Sequence, residues 1–154
     1  MEDLNLPWPE TEGEEPGIFF TAHDVDFELD HTSIITSWIM NACVQEGYTL
    51  QRLDFVFCSD EFLLQINKEH LQHDYYTDII TFPLQRDPII AEIYISIDRV
   101  KENALSMQTS FSDELHRVMI HGVLHLCGYD DHREEDIKII RAKEGHYLKL
   151  LPSF

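Results

Sequence analysis

The sequence predicts a single α+β domain, in which a small mixed sheet of about four strands is covered by helices. Short apolar segments of strand length are separated by longer segments in which apolar residues recur at helical spacing. Two strand segments follow each other directly and three helical segments come last, an order that is typical of α+β domains. The chain has 154 residues, 44% of them hydrophobic, which suits one domain with a proper core. We therefore expect one domain over residues 1–154.

The N-terminal segment differs in composition from the rest of the chain. Residues 1–16 carry three prolines and a run of glutamates, so we expect this segment to be loose. A first strand is predicted at Ile18–Phe20, and its pattern could continue to Phe27. Asp30 or Thr32 is then expected to cap a helix that ends before Gly47. Its apolar stripe consists of Ile34, Ile35, Trp38, Ile39, Ala42 and Cys43.

The middle of the chain supplies three more strands. Leu50–Cys58 alternates apolar side chains in the pattern of a strand inside a sheet, and Ser59 is placed to cap the helix that follows. That helix runs into a polar loop from Asn67. The segment 77–83 reads as a strand that proline stops, and the segment 89–96 reads as another strand.

Three helices are predicted after the last strand. The first begins at Asp98 and runs to about Gln108. The second spans Ser112 to Leu126, with Gly128 where a left-handed residue would end it. The third runs from Arg133 to Leu151, and its predicted apolar face consists of Ile137, Ile140, Tyr147, Leu148 and Leu151.

The second of these helices contains a candidate metal site. His121 and His125 are four residues apart, about 6 Å along a helix, so both imidazoles lie on one face. A glycine turn then leads to Asp131 and His132, either of which could supply a third ligand. A lone histidine on such a helix would more often be a hydrogen-bonded core residue. Two histidines on one face, followed by these donors, favour a metal ion.

The residue after the first histidine argues against a peptidase of the HExxH type. In that motif a glutamate follows the first histidine and serves as the general base. Here the position is Gly122. The same ligands could still serve a metallohydrolase that acts on a peptide or small amide, but the sequence places no acidic base beside His121.

Charge and cysteine content narrow the partners and the location. The net charge of −18 disfavours a broad, electrostatically driven nucleic-acid binder, although an ion in a cleft could still neutralise phosphate locally.

No apolar run is long enough to span a membrane and the first residues lack the basic region of a signal peptide. Three cysteines without metal-type spacing suggest reduced thiols, and Cys127 is expected to serve packing. We expect a cytoplasmic protein with no membrane partner.

Three separate segments together resemble one family, the YbeY-type endoribonucleases. They are His-Gly-x-Leu-His-Leu-x-Gly-Tyr-Asp at 121–130, Thr-Asp-Ile-Ile-Thr-Phe-Pro at 77–83, and Glu-Ile-Tyr-Ile-Ser at 92–96. The first motif is highly specific, and the similarity extends over roughly residues 50 to 150. The resemblance implies a zinc-dependent endoribonuclease directed at single-stranded RNA, which acts in ribosomal RNA maturation and ribosome quality control. It also implies ribosomal RNA and the small subunit or its proteins as partners, and DNA is not expected.

Two positions depart from the family pattern. The family usually has an arginine four residues after Asn67, and here that residue is Leu71, so Lys68, Arg86 or the metal ion would have to meet the phosphate. The third ligand of the family is usually a histidine ten residues after the first. Here that position is Asp131, with His132 one residue later. Because an aspartate oxygen also suits zinc, metal binding can survive the exchange.

The expected mechanism is metal-assisted hydrolysis of a phosphodiester. His121, His125 and a third ligand would hold one Zn²⁺ with an open position, where water reaches a pKa of about 7. Spacing favours Asp131 as that ligand and places His132 outside the first shell. Thr77 and Asp78 could orient water or a ligand imidazole, with turn and cap chemistry as an equal alternative. If His132 were a fourth ligand, the site would instead be structural, in a ribosome-binding adaptor.

Overall fold

Four strands form one mixed sheet in the computed structural model, which describes residues 15–154. Along the chain they are β1 (Gly17–His23), β2 (Leu50–Cys58), β3 (Ile79–Arg86) and β4 (Ile89–Ser96). Their order across the sheet is β1-β2-β4-β3. β1, β2 and β4 are parallel, whereas β3 runs antiparallel to β4 at the edge. The mixed four-stranded sheet predicted from the sequence is thereby confirmed.

Five helices surround the sheet. They are α1 (Thr32–Gln45), α2 (Asp60–His70), α3 (Ile97–Ser106), α4 (Phe111–Leu126) and α5 (Glu134–Leu150). The larger apolar cluster joins one face of the sheet, through residues such as Phe55 and Ile93, to α1, α3, α4 and α5. A smaller cluster packs α2 on the opposite face. Among residues 15–154, no helix is both long and apolar enough to cross a membrane.

Every predicted helix and strand is present within residues 15–154, and the predicted order is confirmed. Ser59 caps α2 as predicted, because its side chain accepts a hydrogen bond from the Phe62 backbone N–H at 3.1 Å. β1 ends at His23, so the continuation of this strand to Phe27 is wrong. Residues 1–14, which make up most of the segment expected to be loose, lie outside the described residues.

Two predictions about the chain between β1 and β4 are wrong for physical reasons. Neither Asp30 nor Thr32 caps α1. His31 occupies the cap position in the left-handed conformation, with φ of 58°, and its imidazole stacks on Phe154 at 4.2 Å between ring centroids. Pro83 does not stop β3, which continues to Arg86. The strand tolerates proline because it lies at the sheet edge and its register shifts just after this residue.

Smaller differences concern the last three helices. Ser96 caps α3, so this helix begins at Ile97 instead of Asp98 and ends at Ser106. α4 begins at Phe111 behind a Ser110 cap, close to the predicted Ser112. Ile137 was predicted to face the core, but it lies in the first turn of α5 and is 40% exposed. The buried face of α5 begins at Ile140.

Gly122 allows α4 to lie close to the sheet. A Cβ atom at this position would lie 2.9 Å from Cδ1 of Ile79 and 3.0 Å from Cδ1 of Ile93. Ile93 is fully buried in the core, so its side chain has little room to move. The residue after His121 therefore faces β3 and β4 and not the side of the helix on which the histidines lie. A glutamate at this position would be buried against apolar side chains.

Substituting alanine at two helical glycines should give changes of opposite sign. Gly122→Ala gains about 1 kcal/mol of helix propensity but overpacks the core, which costs about 1 to 3 kcal/mol, so its free energy of unfolding should fall. Gly145, inside α5, is the matched control, because nothing lies within 4 Å of its added Cβ. Gly145→Ala should raise the free energy of unfolding by about 0.5 to 1 kcal/mol. Denaturant titration of both variants measures this, and equal stabilisation of both would contradict the close packing of α4.

Candidate metal centre

Helix α4 presents His121 and His125 side by side. Ser110 caps the helix by accepting the Asp113 backbone N–H at 3.0 Å, and the apolar side of the helix is buried in the core. The two imidazole rings lie 4.9 Å apart between centroids and are perpendicular. Their side chains are 15% and 26% exposed, so both reach a partly open surface. The helical spacing predicted from the sequence has brought the two rings together.

The turn after α4 returns the chain to these rings. Gly128 has a φ of 99°, and the backbone N–H of Tyr129 donates to the carbonyl of Leu124 at 3.1 Å, which closes the helix end. The Asp131 carboxylate then lies between the two imidazoles. Its Oδ2 is 3.2 Å from Nε2 of His121, and its Oδ1 is 3.4 Å from Nε2 of His125. One potential ligand atom from each of the three residues lies within 4.8 Å of the others.

His132 lies apart from this group. Its side chain is 82% exposed, and its Nε2 contacts Oδ1 of Asp130 at 3.3 Å. Asp130, Asp131 and His132 form a second set of donors that could hold an ion, but this set is mostly exposed. Asp131 thus belongs to both sets, whereas His132 is not part of the set that contains His121 and His125.

Buried Glu144 fixes the orientation of the His121 ring. Its side chain is 2% exposed, and its Oε2 lies 2.6 Å from Nδ1 of His121. A carboxylate can only accept a hydrogen bond, so Nδ1 carries the proton and donates it. In the neutral ring, Nε2 is then left with a lone pair that points at the Asp131 carboxylate. The imidazole is thereby held in the tautomer that a metal ligand needs.

Arg117 stabilises the charge on Glu144. Its guanidinium donates to Oε1 of Glu144 at 3.2 Å and to both carboxylate oxygens of buried Glu114 at 2.8 and 2.9 Å. Burial alone would raise the pKa of Glu144, but the hydrogen bonds and charges of His121 and Arg117 outweigh it and hold this pKa below its ordinary value. Glu144 is therefore an ionised acceptor inside the protein.

The geometry of the donors fits a small divalent cation. Zinc with nitrogen and oxygen ligands at about 2.0 to 2.2 Å in a tetrahedron places neighbouring donor atoms roughly 3.3 to 3.6 Å apart. The contact from Oδ2 of Asp131 to His121, at 3.2 Å, and the contact from Oδ1 to His125, at 3.4 Å, are each close to this spacing. One cation would satisfy both imidazoles and Asp131 together.

Asp78 lies near this group, whereas Thr77 is engaged locally. Burial raises the pKa of the Asp78 carboxyl above its ordinary value, although the charges of Arg117 and His121 act in the opposite direction. Its Oδ2 accepts a hydrogen bond from Asn103 at 3.4 Å. The Thr77 hydroxyl donates to the carbonyl of Ile79 at 3.4 Å, which is the turn chemistry considered as an alternative for this residue.

Glu144 and Arg117 were not among the residues predicted from the sequence. One signal for Glu144 was available, because it follows Ile140 by four residues and precedes Tyr147 by three, on the buried face of α5. A carboxylate at a core position indicates a buried partner. The identity of that partner depends on how α5 packs on α4, which helical periodicity does not specify.

Comparisons with known proteins agree with this architecture. A family model described as Endoribonuclease YbeY matches residues 19–152. The chain is 45% identical over 138 residues to an Endoribonuclease YbeY of Cytophaga hutchinsonii, covering 88% of this chain and 96% of that protein. It is 47% identical over 133 residues to one of Amoebophilus asiaticus, covering 85% and 90%. The solution structure of TM1509 from Thermotoga maritima is similar with a TM-score of 0.62 and 26% identity, covering 86% of this chain and 87% of that one. The chain belongs to the YbeY endoribonuclease family.

Proposed function

We propose that this protein is a zinc-dependent endoribonuclease directed at single-stranded RNA, which acts in ribosomal RNA maturation and ribosome quality control. The observation that carries the proposal is the convergence of His121, His125 and Asp131 in a chain of the YbeY family. The ribosomal small subunit or its proteins are the proposed partners, with neither DNA nor a membrane. A cytoplasmic location completes the proposal and rests on the sequence alone.

The proposed ligands are Nε2 of His121, Nε2 of His125 and the carboxylate of Asp131. When bound, zinc would lower the pKa of a coordinated water and polarise a phosphoryl oxygen. Glu144 keeps the proton of His121 on Nδ1, so that its Nε2 lone pair remains available. Arg117 keeps Glu144 ionised, and through it acts on the same ring.

Asp78 has the properties of a residue that positions water beside this centre. Its pKa is raised by burial, and the charge of His121 acts on it, so it lies within electrostatic reach of the ligands. We assign Asp78 the role of holding a water or a ligand imidazole in orientation. For Thr77 we keep only an accessory role at the strand start, since its hydroxyl already donates to a backbone carbonyl.

Two contacts weigh against the rival functions. A peptidase of the HExxH type needs an acid after the first histidine, and the buried position of Gly122 against Ile79 excludes one without repacking. A structural site needs a fourth protein ligand. His132 was the candidate for it, and this side chain is exposed and paired with Asp130.

Removing either helix histidine should abolish RNA cleavage without unfolding the protein. His121→Ala and His125→Ala each delete one proposed ligand, while the core contacts of α4 come from its other faces. Cleavage of a defined single-stranded RNA should fall by at least about a hundredfold, the effect of losing a metal that supplies several kcal/mol to the transition state. Circular dichroism checks the fold. Full activity in a chelated sample from which metal is absent would contradict the mechanism.

Asp131 and His132 should contribute unequally to zinc affinity. Asp131→Ala removes a proposed ligand and should weaken zinc binding strongly, whereas His132→Ala removes an exposed side chain and should change it little. Competition with a chromogenic chelator measures both affinities. A large loss only in His132→Ala would reverse the assignment, and large losses in both variants would indicate a closed structural site.

Substituting Glu144 should weaken zinc binding although this residue is not a proposed ligand. Glu144→Gln keeps the side-chain volume but removes the charge that orients His121, so zinc affinity should fall about 10- to 100-fold. Asp54 offers a matched control, because it is also a buried carboxylate that accepts hydrogen bonds, from Arg52 within β2. Asp54→Asn should leave zinc affinity unchanged, and an equal loss in both variants would indicate a general effect on stability.

A further inference from the structure

The loop between α2 and β3, residues 71–78, is held in shape by a buried asparagine. Asn67 is 2% exposed, and its backbone carbonyl accepts hydrogen bonds from the N–H groups of Leu71 at 3.2 Å and His73 at 2.9 Å. Its side-chain Nδ2 donates to the carbonyl of Tyr75 at 2.8 Å. The loop is therefore anchored at three points, and the side chains between them are presented on a fixed backbone.

This loop presents two exposed tyrosines that differ in their surroundings. Tyr75 is 56% exposed and stacks on His73, with 5.1 Å between ring centroids, 17° between ring planes, and 3.0 Å from its hydroxyl to Nδ1 of His73. Tyr76 is 46% exposed, but its ring faces the guanidinium of Arg99 at 5.1 Å and its hydroxyl donates to Glu61 at 2.8 Å. A parallel stack covers only one face of a ring, so the opposite face of Tyr75 is open to a further planar group.

The loop that carries Tyr75 leads into the part of β3 that packs on the helix of the metal centre. Ile79 is four residues further on, and four extended residues span at most about 14 Å. The side chain of Ile79 packs at Gly122, the residue that follows His121. Burial raises the pKa of the intervening Asp78, and the charge of a protonated His121 opposes this rise, so the two side chains lie within electrostatic reach of each other. The loop is therefore joined by a short segment to the helix that carries His121 and His125.

The charge of the same surface gives RNA little electrostatic attraction. The chain carries 11 basic against 29 acidic side chains. Leu71, which ends α2, carries no charge, and Lys68, one turn earlier, already pairs with Asp74 at 3.9 Å. Stacking of a base on an aromatic ring needs no cation and tolerates any sequence, because every base has a planar face. An open aromatic ring is therefore the group on this loop best suited to hold a single strand.

We propose that Tyr75, supported by His73, stacks on an unpaired nucleobase of the RNA substrate. The proposal rests on the endoribonuclease function proposed above and names one contact by which substrate is held. Because this contact exists before and during the reaction, its loss should raise KM and leave kcat nearly unchanged. It should also be insensitive to salt, unlike a phosphate contact.

The test is the cleavage of a defined single-stranded RNA by the zinc-loaded protein and three variants. Tyr75→Ala should raise KM on the order of tenfold, at low and at moderate salt alike, with kcat little changed. Tyr75→Phe keeps the ring and should restore KM to nearly the wild-type value. Tyr76→Ala is the matched control, since it removes the neighbouring tyrosine whose ring faces Arg99, and it should change KM little. Thermal melting of all variants confirms that the fold is retained.

An abasic substrate series separates stacking from other uses of the loop. In this series, the bases near the cleavage position are removed one at a time. At one position, removing the base should raise the wild-type KM by as much as Tyr75→Ala raises it with the intact RNA. The same abasic RNA should cause no further rise in the KM of Tyr75→Ala. The proposal is overturned if Tyr75→Ala leaves KM unchanged, or if Tyr76→Ala raises KM as much as Tyr75→Ala does. It is also overturned if the abasic substrate and Tyr75→Ala raise KM additively. A wild-type protein that cleaves no RNA with zinc would overturn the proposed function itself.

Discussion

The close approach of α4 to the sheet is the constraint on which the rest of this structure depends. Gly122 lets the helix axis come near β3 and β4, with the side chains of Ile79 and Ile93 filling the space that a Cβ would need. Because one side of the helix is fixed in this way, His121 and His125 are turned toward a partly open surface. The same packing brings α5 alongside, with Glu144 at the buried ring nitrogen of His121. The two imidazoles of the candidate metal centre, and the carboxylate that orients one of them, are thus positioned by the packing of α4 on the sheet and on α5.

Much of the fold could be predicted from local patterns, because the patterns and the structure obey the same periodicities. In β2, Leu53, Phe55 and Phe57 enter the larger apolar cluster, whereas Val56 and Cys58 enter the smaller cluster on the opposite face. The apolar stripe of α1 arises from burial on one face, and Ser59 shows that cap chemistry can be predicted from sequence. The exceptions involve tertiary context. Pro83 is tolerated only because β3 is an edge strand, and His31 takes the cap position of α1 in a left-handed conformation while its ring stacks on Phe154.

The grouping of His121, His125 and Asp131 could be predicted from the sequence, but the side chains that support His121 could not. Helical spacing and the glycine turn were sufficient to predict that His121, His125 and Asp131 lie together. In the structure Asp131 lies next to both imidazole rings, whereas His132 is exposed and contacts Asp130. The support comes partly from α4 itself and partly from Glu144 of α5, about twenty residues further along the chain. Half-buried Arg117 lies between buried Glu114 and buried Glu144, and these alternating charges satisfy one another. Sequence patterns within one helix carry no information about such pairing between helices.

We expect one divalent ion to be held by His121, His125 and Asp131 with a position left open. The direct measurement is anomalous scattering at the zinc absorption edge, from crystals of the zinc-loaded protein. One strong peak is expected within about 2.0 to 2.2 Å of both Nε2 atoms and of an Asp131 oxygen, with no fourth protein ligand. A peak between Asp130 and His132, or an ion closed by four protein side chains, would contradict it.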